Sequence, residues 1–123
     1  MKQAETFVRE GKYWDAIRLL EPVVDALRPP WQARAHLLLG QSYAKNPHWL
    51  KRAAEQLQMA VDADPRNGEA YLVLGAVFRA SGLPQRAAAM FRKALDLMPG
   101  HADASRELSD LEGSGTPSRR KLK

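Results

Sequence analysis

The chain has no cysteine, which excludes disulfide staples and thiolate metal sites and fits a reducing compartment. It also lacks any apolar run near the ~20 residues needed to cross a bilayer, and no secretory signal pattern opens it. The expectation is a cytoplasmic protein without a membrane span. Glycine-rich phosphate loops are missing too: Gly40 and Gly75 stand alone inside apolar stretches, and Gly113-Ser114-Gly115 lies near the C-terminus. His36, His48 and His101 are scattered, with no His-Glu-x-x-His pair, and the serines fall into no Ser/His/Asp arrangement. These gaps leave no candidate catalytic residue, metal site or cofactor, so a non-enzymatic protein is expected.

Charge is unevenly placed. The formal net charge is +5, of which Arg119, Arg120, Lys121 and Lys123 supply four, so the rest of the chain carries about +1. The high pI of 9.8 is a property of the last few residues. Such a run touches phosphates in some proteins, but this one is short and lacks aromatics for base stacking, and a solvated terminus is the expected role. Nucleic acid is not an expected partner.

What the chain does contain is a repetition. Tyr71-x2-Leu74-Gly75-x2-Phe78, then Ala87-x3-Phe91, Ala94 and Pro99 echo His36-x2-Leu39-Gly40-x2-Tyr43, then Ala53-x3-Leu57, Ala60 and Pro65. The steps are 34 residues from Ala53 to Ala87 and 35 from Gly40 to Gly75. A period of this length marks stacked helix hairpins, none of which can bury its apolar stripe alone. A glycine inside a helix costs roughly 1 kcal/mol against alanine, so two at matching sites point to close packing. His36 fills the slot of Tyr71 and is expected to pack there. Pro65 and Pro99 stop the second helix of each pair.

The pattern predicts an all-α fold of about seven helices over 2–10, 12–27, 31–45, 49–63, 68–81, 84–97 and 101–112. Pro22 should bend the second helix by removing its bond to Arg18. The first repeat reads as partial, with Ala4 in the glycine slot and Ala16-x3-Leu20 in the second-helix pattern. Either a cut from a longer protein or a worn terminal repeat accounts for it. Ala102–Glu112 reads as a capping helix with Leu108 and Leu111 on one face. Gly113 onward reads as a flexible basic tail.

These motifs resemble the tetratricopeptide repeat family. The resemblance implies an antiparallel helix-hairpin α-solenoid over 1–112, made of a partial repeat 1–30, repeats 33–67 and 68–101 and a capping helix 102–112, with a tail 113–123. It implies a protein-binding scaffold or adaptor whose first helices line a concave groove. Carried over residue by residue, that groove comprises Leu37, Leu38, Gln41 and Ala44 in one helix and Leu72, Val73, Ala76 and Arg79 in the next. Arg34 and Lys45 lie at its rim, Arg106, Glu107 and Asp110 in the cap, and Val8 and Arg9 in the partial repeat. The expected surface is an apolar floor with basic edges, suited to an amphipathic helix or extended peptide bearing some acids. Glu5, Leu38 and Val73 stand where chaperone-tail binders of the family carry polar or basic groups, so such tails are not the expected ligand. The alternative is self-association through Ile17, Leu20 and Val24, which an incomplete first helix would leave bare, giving a homo-oligomer. The Asn46-Pro47-x-Trp49 insertion is also similar to tetratricopeptide segments of larger bacterial multidomain proteins, including co-chaperones.

Overall fold

The computed structural model describes residues 1–115 of the 123. Among these the chain forms seven α-helices and no strand: α1 (Lys2–Arg9), α2 (Tyr13–Leu20), α3 (Pro29–Tyr43), α4 (Leu50–Ala63), α5 (Gly68–Ala80), α6 (Pro84–Leu97) and α7 (Ala102–Gly115). None is long and apolar enough to cross a membrane. The expected basic tail from residue 116 onward lies outside the described residues.

Local chemistry sets most of the boundaries. The Asn67 side chain caps α5 by accepting from the Ala70 amide at 3.2 Å. His101 caps α7 in the same manner, its Nδ1 accepting from the Ala104 amide at 3.3 Å. Pro84 opens α6 at a position whose amide has no helical partner. Pro65 and Pro99 follow the ends of α4 and α6. Gly11 and Gly82 adopt φ of +80° and +78°, which closes the hairpins α1/α2 and α5/α6. There the Lys12 amide donates back to the Phe7 carbonyl at 2.7 Å, and Leu83 to Phe78 at 2.9 Å.

Three boundaries differ from the sequence expectation. The α2 helix does not bend at Pro22; it stops at Leu20, and only a single 3-10 turn, Val24–Ala26, continues it. Without the Pro22 amide the helical ladder cannot resume at once. Helix α3 starts at Pro29, because Pro29 and Pro30 occupy its first turn, where proline is tolerated. At the far end Gly113, Ser114 and Gly115 continue α7 rather than beginning a linker.

The hairpins α1/α2, α3/α4 and α5/α6 stack in sequence order, and α7 packs on α6. Leu37, Leu39, Leu57, Leu74, Val77 and Phe91 form the largest fully buried side chains. The paired helices meet at the glycines: a Cβ on Gly40 would stand 2.4 Å from Leu57 Cγ, and one on Gly75 would stand 2.7 Å from Phe91 Cε1. His36 is buried, and its Nδ1 lies 2.7 Å from Gln56 Oε1 on the paired helix. On the outside of α7, Arg92 and Glu112 pair at 3.1 Å and tie the cap to α6.

Candidate partner-binding groove

Helix α5 shows how one element divides its duties. Leu74, Gly75 and Phe78 turn toward α6 and are buried, while Leu72 and Val73 are half-buried and Ala76 is exposed. The i, i+4 spacing of Leu72 and Ala76 keeps them on one stripe of the helix. That stripe floors a groove of about 460 Å³, walled by Val8 of α1, Gln41, Ala44 and Lys45 at the end of α3, and Asp103 and Glu107 of α7. Tyr13, Leu50 and Ala80 also line it, and Val77 and Phe91 reach it from the core.

The corresponding stripe of α3 is closed. Leu37 is 0% exposed and Leu38 2%, so neither offers the open floor expected of it. Helix α3 is flanked by both α1 and α2 on one side and by α5 on the other, whereas α7 packs on α6 and meets α5 only slightly. The expected self-association surface is likewise absent as an exposed patch. Ile17 and Leu20 are each 3% exposed and Val24 7%, because α1 and α3 pack on α2 and α3 also packs on the 3-10 turn that carries Val24. The large apolar side chains exposed at this end are instead Trp14, Leu19, Val23 and Trp31.

The basic edge is also altered, because the chain supplies its own acids. The Arg34 guanidinium reaches Glu5 at 2.8 Å and Glu69 at 3.9 Å, linking α1, α3 and α5. Arg79 pairs with Glu107 of α7, and Arg106 with Asp103 at 3.2 Å. Arg106 lies outside the groove lining, and Arg9 donates to Thr6 at 3.2 Å. Lys45 differs: its ammonium sits 5.6 Å over the Tyr13 ring, and among the described residues no carboxylate lies within 4 Å of it. The groove therefore has one uncompensated cation at the α3 end and carboxylates at the α7 end.

Of the residues expected from sequence, Gln41, Ala44, Lys45, Leu72, Val73, Ala76, Val8 and Glu107 come together. Tyr13, Leu50, Val77, Ala80, Phe91 and Asp103 line it without being expected there from sequence. Glu69, the second partner of Arg34, carried a signal: it sits 35 residues after Arg34, at the same repeat position with opposite charge. Tyr13 carried none, since it reaches the groove only because the Gly11 turn folds α2 against α1.

A tetratricopeptide repeat model matches residues 1–48 and 50–105. The chain belongs to the tetratricopeptide repeat family. No curated protein matches it. Among solved structures it resembles the Arabidopsis OM64 tetratricopeptide domain, at 18% identity over 92% of this chain and 91% of that one, with a TM-score of 0.83. It also resembles the first such domain of Spaghetti (RPAP3) bound to an HSP90 peptide, at 21% identity over 92% and 87%, with a TM-score of 0.82. The second domain of human RPAP3, in complex with an HSP70 peptide, is 24% identical over 90% of both chains, with a TM-score of 0.80. At these identities the likeness concerns the fold, and the tetratricopeptide hairpin array is shared by all of them.

Proposed function

We propose that this tetratricopeptide array is a non-catalytic scaffold that holds a partner peptide in the groove over α5. The observation that carries this reading is the half-buried apolar stripe of Leu72 and Val73, left open between α3 and α7. Two structurally similar domains hold HSP90 and HSP70 peptides, which supports a peptide as the class of ligand. The tails themselves fit poorly here. Glu5 is engaged with Arg34, and Leu38 and Val73 bring no charge to meet a carboxylate.

The energetics favour a weak contact. Full burial of two exposed side chains of this size contributes roughly 3–6 kcal/mol, and the half-buried Leu72 and Val73 have only part of that left to gain. Association costs about 4–15 kcal/mol. A single module should bind at micromolar strength or weaker, and tight recruitment would need several contacts on one partner.

The test is selection of binders from a displayed random-peptide library, followed by affinity measurement on the wild type and on Leu72→Glu. The expected result is micromolar peptides that lose at least tenfold on Leu72→Glu while the melting temperature holds. The HSP90 peptide SRMEEVD should bind no better than a scrambled control. Selected peptides indifferent to Leu72→Glu would remove the groove from the account.

A further inference from the structure

At its α3 end the groove runs into a second hollow, and the two share Tyr13 and Lys45. This hollow, of about 220 Å³, is lined by Tyr13, Trp14, Ile17, Lys45 and Trp49 among others. Trp14 is 57% exposed, and its ring lies 6.0 Å from that of Trp49 at an interplanar angle of 35°. Trp49 in turn stands edge-on to Tyr43 at 5.7 Å. The inserted turn creates this arrangement. The Asn46 side chain accepts from the His48 amide at 2.9 Å and fixes the 3-10 turn Pro47–Trp49, which swings Trp49 onto Tyr43 and Trp14. Trp14 thus presents its ring to solvent near Lys45, backed by the half-buried Trp49.

We infer that the partner is an extended, proline-containing peptide with an acidic residue, its proline seated in the Trp14/Trp49 hollow and its carboxylate on Lys45. This rests on the reading of the groove as a peptide site and specifies its ligand. Size argues against a helix: with its side chains a helix is about 10–12 Å across, and a hollow of about 220 Å³ is too small to admit one. Hydrogen bonding argues against a plain extended strand. The lining is helical or turn, with backbone groups engaged in their own ladders, so it offers a strand no row of partners to pair with. A polyproline II segment needs none, and proline is already fixed in that conformation, so less ordering is lost on binding. Flat aromatic walls are the surface such segments dock against. Charge supplies the acid: Arg34, Arg79 and Arg106 are already paired within the chain, which leaves Lys45 as the groove cation open to an incoming carboxylate.

The test uses three synthetic fluorescein-labelled peptides: Asp-Glu-Pro-Pro-Leu-Pro-Pro-Leu, the same with alanine for each proline, and the same with lysine for both acids. Anisotropy titrations are run on the whole chain and on its Trp14→Ala, Lys45→Glu and Leu72→Glu variants, each checked for an unchanged melting profile. The expected result is at least tenfold tighter binding of the first peptide than of the other two. Trp14→Ala should lose tenfold or more, and Lys45→Glu should reverse the preference toward the lysine peptide. Equal affinity for the proline and alanine peptides, or no effect of Trp14→Ala, overturns the inference. So does failure of the wild type to bind the first peptide, which leaves the library test of the groove standing. Loss on Leu72→Glu without loss on Trp14→Ala keeps the groove and removes the aromatic hollow.

Discussion

Gly40 faces Leu57 as Gly75 faces Phe91: in both hairpins the small residue of the first helix admits the large residue of the second into the space its own Cβ would occupy. The missing methyl would meet Leu57 Cγ at 2.4 Å in one case and Phe91 Cε1 at 2.7 Å in the other. Both large side chains are fully buried, so making room for a methyl group means shifting a packed side chain.

Gly75→Ala should therefore destabilise the fold even though alanine is the better helix former. Overpacking costs typically 1–3 kcal/mol, against a propensity gain of roughly 1 kcal/mol. Urea unfolding should show a net loss, and adding Phe91→Leu to Gly75→Ala should cost less than the sum of the single changes. Additivity within about 0.5 kcal/mol would mean the two residues do not share this space.

Leu38 and Leu72 are both expected from sequence on the groove floor, yet they should respond differently to the same substitution. Leu38→Glu places a carboxylate in the core without a partner, which is among the changes that unfold small domains. Leu72→Glu sets one at a half-exposed site. Circular dichroism melting should show loss of a cooperative transition for the first and near wild-type behaviour for the second.

Removing Arg34 should matter less than its two ion pairs suggest. Its side chain is 39% exposed and that of Glu5 34%, and pairs this wet contribute about 0–1 kcal/mol. Arg34→Met should lower stability by less than about 1 kcal/mol, and the difference should shrink further in high salt. A loss of several kcal/mol in denaturant titration would show that the link between α1, α3 and α5 does more than the solvent exposure of its groups allows.

Gln56 answers a buried polar group, so its loss should be costly out of proportion to its size. Gln56→Leu leaves the His36 ring without its partner and should cost about 1–3 kcal/mol. The double change His36→Phe with Gln56→Leu should recover much of that, because Tyr71 shows that this slot accepts an aromatic ring. If thermal melting finds the double variant no better than Gln56→Leu, the pair is not what holds His36 in the core.

Much of the hairpin architecture is legible in the sequence. The contacts Gly40–Leu57 and Gly75–Phe91 join helices adjacent in sequence, so a fixed spacing encodes them directly. The helix stops at Pro65 and Pro99 and the start at Pro84 are equally local. The end of α2 was missed because Pro22 permits either a kink or a stop, and the choice depends on what the following residues pack against. Glycine pattern alone also suggested a linker at Gly113, where the α7 helix continues to Gly115.

The candidate site was less readable because exposure is not a local property. Leu37 and Leu38 look like Leu72 and Val73 in sequence, yet neighbours on both sides bury the first pair, while the slight contact of α7 with α5 leaves the second half-buried. The same reasoning covers Ile17, Leu20 and Val24, which lie against α1 and α3. By itself the sequence determined the helices, their pairing and the small-to-large contacts within each pair, since these depend on spacing along one chain. The tertiary structure alone decided which apolar stripe stays open, which arginines find acids and which tryptophans meet, since those depend on how separate hairpins are laid against one another.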